Sequence, residues 1–137
     1  MPAERINPPS LYDSVSYGFT HATTSEPGRL LHLSGQVAWD KDQNVVGGDD
    51  LQLQTRQALA NLKEVLASQG CTPADIVRLR TYVVNHSPDK LEPVAGEIMA
   101  FYGETMPAAN TWIGVQALAL PDFLVEIEAT AIVPGGS

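Results

Sequence analysis

Apolar positions change period along the chain, and the changes mark its elements. From Ile76 to Val84 they alternate, with Val77, Leu79, Thr81 and Val83 on one side and Arg78, Arg80, Tyr82 and Val84 on the other. That two-residue period is a strand. Upstream, Leu51, Ala58, Leu59, Leu62, Val65 and Leu66 recur at helical spacing behind Asp49 or Asp50 as N-cap, and Gly70 ends the run. A second helical pattern, Leu91, Val94, Ala95, Ile98, Phe101 and Tyr102, predicts a helix over about 91–104. It follows the Asn85-His86-Ser87-Pro88 break, and Pro93 fits only in its first turn.

Aromatic and β-branched residues predominate from Tyr17 to Thr24, Ser25-Glu26-Pro27-Gly28 carries turn chemistry, and Leu30 to Val37 is a further β-like run. The pattern predicts a hairpin. Val45-Val46 reads as a short extra strand, Thr111 to Leu118 and Phe123 to Val133 as the last two, and 134–137 as a loose tail. The proline-rich opening, residues 1–14, reads as an irregular lead-in with order beginning near Val15. The expected architecture is one α+β domain with a five- or six-stranded mixed sheet and two helices packed on one face. The other face, expected to carry Trp112, Leu118, Leu124, Val84 and Ile132, is too apolar for full solvation and predicts burial between subunits.

A chain of 137 residues, 44% hydrophobic and 18% charged, has material for one core. Eight Lys and Arg against 16 Asp and Glu leave a net charge of −8, and the five arginines are scattered. This disfavours nucleic acid as a partner. The longest apolar stretch, Thr111 to Pro121, falls short of the ~20 residues that span a bilayer, so no membrane segment is expected. No basic tip precedes an apolar run at the N-terminus, and a cytoplasmic location is the default expectation. The single Cys71 offers no disulfide, zinc site or redox pair.

The glycine pairs at 47–48 and 135–136 lack the context of a phosphate loop, and His21, His32 and His86 stand in no metal spacing. Glu126 and Glu128 share a strand face, where like charges raise a carboxylate pKa into a range useful for acid–base work; a solvated or salt-bridged face is the plainer reading. Ser34-Gly35-Gln36 is either a site where backbone approaches a ligand or a glycine bulge.

Tyr17-Gly18-Phe19, Leu33-Ser34-Gly35-Gln36-Val37, the Leu59 to Leu66 helix, Gly114-Val115, Leu120-Pro121 and Leu124-Val125-Glu126-Ile127-Glu128-Ala129 together resemble the Rid family, also called the YjgF or translation-inhibitor endoribonuclease family. The resemblance runs from about Tyr17 to Val133. It implies a fold like the bacillus type of chorismate mutase, a homotrimer built round a barrel, and small-molecule clefts between subunits. It also implies cofactor-free hydrolysis of reactive imines and enamines, such as 2-aminoacrylate, to a carbonyl compound and ammonia. In that scheme an arginine clamps the substrate carboxylate.

The register set by Thr111, Gly114 and Val115 assigns the arginine's place to Asn110, which carries no charge. Beside it Trp112 brings apolar surface and one donor, while Tyr17, Ser34, Gly35 and Glu126 match residues that line the family cleft. Glu126 and Ser34 are the catalytic candidates; Tyr17, Gly35, Asn110 and Trp112 are the binding candidates. Three readings stand open: a deaminase for a neutral, larger or aromatic imine, a non-catalytic metabolite-binding trimer, and, weakest, a ribonuclease.

Overall fold

The computed structural model describes residues 4–135. Along the chain run strands β1 (Glu4–Ile6), β2 (Ala22–Thr24) and β3 (Leu30–Gln36), helix α1 (Leu51–Ser68), strand β4 (Ile76–Val84), helix α2 (Leu91–Tyr102), and strands β5 (Ala109–Val115) and β6 (Val125–Ile132). Four of the six strands form a mixed sheet in the order β3-β6-β4-β5, and β1 pairs with β2 in a small separate sheet. Only β4 and β5 run parallel, because α2 carries the chain back across the sheet between them. Both helices pack on one face.

Local chemistry sets the helix ends. Asp50 caps α1, its carboxylate accepting the Leu53 N–H at 3.0 Å. The second helix stops at Tyr102, short of the expected 104, because Gly103 takes a φ of 63° and turns the chain away. Leu59, Leu62 and Leu66 of α1 meet Val94 and Ile98 of α2 and Leu79, Val83, Val125, Ile127, Ala129 and Ala131 of the sheet in one buried cluster. On the rim, Arg56 grips both oxygens of Glu97 at 3.0 Å and ties the helices together. That guanidinium holds the Glu97 carboxyl below its ordinary range.

Several expectations change. The predicted hairpin does not form: the Ser25–Gly28 segment joins two different sheets, β2 pairing with β1 and β3 with β6. The lead-in is not wholly irregular, since prolines forbid a helix but not three residues of strand. Arg5 pins that strand to the main sheet, donating to Met106 O at 3.0 Å and Ile76 O at 2.7 Å. Val45 makes only an isolated bridge to Trp39. A register shift between Ile76 and Arg78 turns Ile76 into the core and leaves Val77 half-exposed.

The open face is also composed differently. In the parallel pair Thr81 lies beside Trp112 and Leu79 beside Asn110, so Trp112 belongs to the helix-covered side and packs against the core. Leu118 and Leu124 fall outside the strands. The open face instead carries Val84, Ile113 and Ile132 among Tyr82, Arg80, Glu126, Glu128 and Thr130. Glu128 accepts the Tyr82 hydroxyl at 2.6 Å. Among the described residues no helix is long and apolar enough to cross a membrane.

Candidate functional site

The segment before β2 is folded so as to expose aromatic rings beside β5. Asp13 accepts the Val15 N–H at 3.1 Å, a single 3-10 turn spans Val15–Tyr17, and Gly18 closes it at a φ of 92°. This turn lays Tyr12, Asp13, Tyr17 and Phe19 against Asn110 and Trp112, round a pocket of about 690 Å³. Tyr12 and Tyr17 are more than half exposed there, at 63% and 56%.

The polar atoms of the inner wall are already partly engaged. Asn110 accepts the Thr81 hydroxyl at 3.2 Å, which fixes the amide and leaves its NH₂ for a ligand. The Trp112 indole N–H is 3.3 Å from His86 Nδ1, so the donor expected for a ligand is engaged inside the protein and the ring contributes apolar surface. Gly114 lets His86 approach, since a Cβ there would lie 3.0 Å from the histidine Cβ. The roles of Tyr12, Asp13, Phe19 and His86 escape sequence reasoning; the run of aromatics from Tyr12 to His21 signals Tyr12 and Phe19, and nothing local signals Asp13 or His86.

Glu126 and Gly35 lie elsewhere. Both line a second pocket of about 610 Å³ with Trp39, Asn61 and Phe123. Between Leu33 and Gln36 the pairing of β3 with β6 shifts register, so Ser34-Gly35 is a bulge, as the glycine allows. The glycine is needed for contact: a Cβ on it would overlap Glu126 Oε2. Ser34 is exposed and lines neither pocket.

The salt-bridged form of the plainer reading does not occur at Glu126 among the described residues. Among the described residues Arg56–Glu97 is the only ion pair, and Arg80 lies in register with Glu128. Burial, and then the charge of Glu128, push the Glu126 carboxyl above its ordinary range. Within one subunit, Tyr17, Asn110 and Trp112 thus come together, Gly35 and Glu126 come together, and the two groups stay apart. They belong to opposite regions of the sheet, β5 being one edge strand and β3 the other. No group of three His, Cys, Asp or Glu side chains converges as a metal site requires among the described residues.

Known proteins share this fold. The chain is similar to the Yersinia pestis Rid-family protein YyfB, a protein of unknown function, with 59% identity and a TM-score of 0.94 over 96% of this chain and 99% of that one. The Escherichia coli YjgF gene product superposes with a TM-score of 0.67 at 28% identity, over 79% of this chain and 84% of its own. A RutC family protein of Pyrococcus horikoshii is 32% identical over 106 residues, 76% of this chain and 79% of the relative. The endoribonuclease L-PSP family profile matches residues 14–133. From the Val15–Tyr17 turn to the end of β6, the chain therefore belongs to the endoribonuclease L-PSP family, the family also known as Rid or YjgF.

Proposed function

We propose that the protein hydrolyses the C=N bond of a reactive imine or enamine in a cleft between subunits of a homotrimer. The carrying observation is the division of the candidate residues into two half-sites, an aromatic pocket beside edge strand β5 and a carboxylate beside edge strand β3. Two halves at opposite edges of one subunit meet when copies are arranged edge to edge, and the open sheet face with Val84, Ile113 and Ile132 supplies surface for that contact.

The chemistry follows from the groups present. Glu126, held up in pKa and in no ion pair among the described residues, takes a proton from water as the water oxygen adds to the imine carbon, the C=N π electrons pass to nitrogen, and the protonated Glu126 returns that proton to the nitrogen. The carbinolamine then collapses. The hydroxyl proton passes through Glu126 to the nitrogen, the C–N bond breaks as the C–O bond becomes the carbonyl, and ammonia leaves. Asn110 and Trp112 select the substrate. A charge-assisted contact is worth ~1.5–3 kcal/mol against about 1 for a neutral one, so Asn110 holds a carboxylate weakly. The name of the family notwithstanding, a ribonuclease reading gains nothing from a net charge of −8 with dispersed arginines.

Two measurements test this. Ammonia release over a panel of imines generated by amino-acid and amine oxidases is expected to be negligible for 2-aminoacrylate and other short carboxylated imines, and clear for uncharged-tail or aromatic ones. Asn110→Arg is expected to raise turnover of the carboxylated set several-fold. No release above the buffer rate across the panel would leave a metabolite-binding trimer as the better reading, which the absent clamp at Asn110 favours. Sedimentation equilibrium is expected to give a trimer, and a stable monomer at micromolar concentration would remove the inter-subunit site.

A further inference from the structure

We infer that the aromatic pocket takes an organic cation, so that the substrate is the iminium of an amine rather than the imine of an amino acid. The inference deepens the deaminase reading and rests on it for the word substrate, but binding alone can be tested. Tyr12, Tyr17, Phe19 and Trp112 supply four rings to one pocket, and Asp13 adds a carboxylate. No Lys, Arg or His side chain lines this half of the site among the described residues, and in the half that a neighbouring copy would bring against it Lys41 is outnumbered by Asp40, Glu64 and Glu126. The faces of aromatic rings are negative and attract cations, best when a carboxylate shares the site and nothing positive competes.

The neighbouring groups strengthen the assignment. Trp112 donates its N–H to His86 outside the lining, and the Asn110 carbonyl accepts from Thr81, so the two uncharged side chains are held in place and present a ring and an amide to the ligand. Asp13 forms no ion pair among the described residues, and only one of its oxygens is committed, to the Val15 N–H. The whole chain carries −8, which raises the local concentration of cations further. Protonation of an imine makes its carbon more electrophilic, so a pocket that favours the cation also favours the form water attacks. An imine with no carboxylate comes from oxidation of an amine, and that class of reaction would supply the substrate.

Three probes of one size differ in charge: 2-phenylethylamine, an ammonium at pH 7, 2-phenylethanol, and 3-phenylpropionate. Isothermal titration of the assembled protein is expected to show the amine bound about tenfold more tightly than the alcohol, in the range of a cation–π contact plus a carboxylate, with the acid undetected. Added salt should weaken the amine alone. Asp13→Asn keeps an oxygen for the Val15 N–H, so the turn survives, and it should lose most of the preference with the alcohol unchanged. Equal affinity for amine and alcohol, tighter binding of the acid, an unchanged preference in Asp13→Asn, or no binding of the amine at millimolar concentration would each overturn the inference. Amine binding with no ammonia release from any imine would support it while defeating the deaminase reading; turnover without charge preference would do the reverse.

Discussion

Gln54→Leu is expected to destabilise the protein by about 3 kcal/mol, although it replaces a polar group at a fully buried position with an apolar one of similar size. Gln54 is completely inaccessible, and its amide serves three backbone groups. The NH₂ donates to Gly48 O at 2.6 Å and Asp122 O at 2.9 Å, and the carbonyl accepts the Leu124 N–H at 3.0 Å. One side chain of α1 thereby joins the loop before the helix to the entry of β6, the strand that carries Glu126. Each hydrogen bond is worth ~1 kcal/mol net, and a buried group left without a partner costs ~1–3 kcal/mol. The hydrophobic gain of leucine offsets part of this. Urea unfolding should show a lower midpoint with an unchanged slope. A variant as stable as the wild type would mean that water replaces all three bonds.

Glu126→Gln is expected to lower kcat on the best imine by about 10²- to 10⁴-fold, the range for loss of a general base, without loss of assembly. The pH dependence of the wild type gives a second readout. A base with a raised pKa works only when ionised, so the rate should fall as pH drops through a value above the ordinary carboxylate range. Stability runs the opposite way. A carboxyl whose folded pKa lies above its unfolded one binds its proton more tightly when folded, so its favourable contribution is present at low pH and is lost as pH rises through the raised pKa. The neutral amide of the Glu126→Gln variant has no charge to desolvate, and the variant should melt no lower than the wild type at pH 7. Unchanged kcat, or a fall in kcat matched by dissociation, would make Glu126 structural. Gly35→Ala checks the geometry, because its Cβ must displace the Glu126 carboxylate and should cut kcat through position alone.

Part of the candidate site is legible in the sequence. Glu126 stands out through its i, i+2 pairing with Glu128, and Gly35 through its place in a strand. Gln54 does not, because an amide inside a helical pattern gives no sign of which distant carbonyls it will meet. The sequence pattern puts Trp112 on the wrong side of the sheet for a similar reason. Alternation states which residues of one strand share a face, and only pairing with β4 states which face that is.

What the sequence determined by itself was local. The 3.6-residue period, the Asp50 cap and the breaks at Gly70 and Asn85–Pro88 define α1, β4 and α2 nearly to the residue, because helix and strand periods and caps act over a few positions. The motif in the last strand carried the family. Tertiary structure alone decided that β2 turns away to pair with β1, that β3 lies against β6, and that Tyr17, Asn110 and Trp112 gather at one edge of the sheet while Glu126 and Gly35 gather toward the other. Those outcomes depend on strand register and on bonds that span the chain, such as Arg5 to Met106 and Gln54 to Asp122. Their energies are set by partners from 68 to 101 positions away, and no local pattern encodes them.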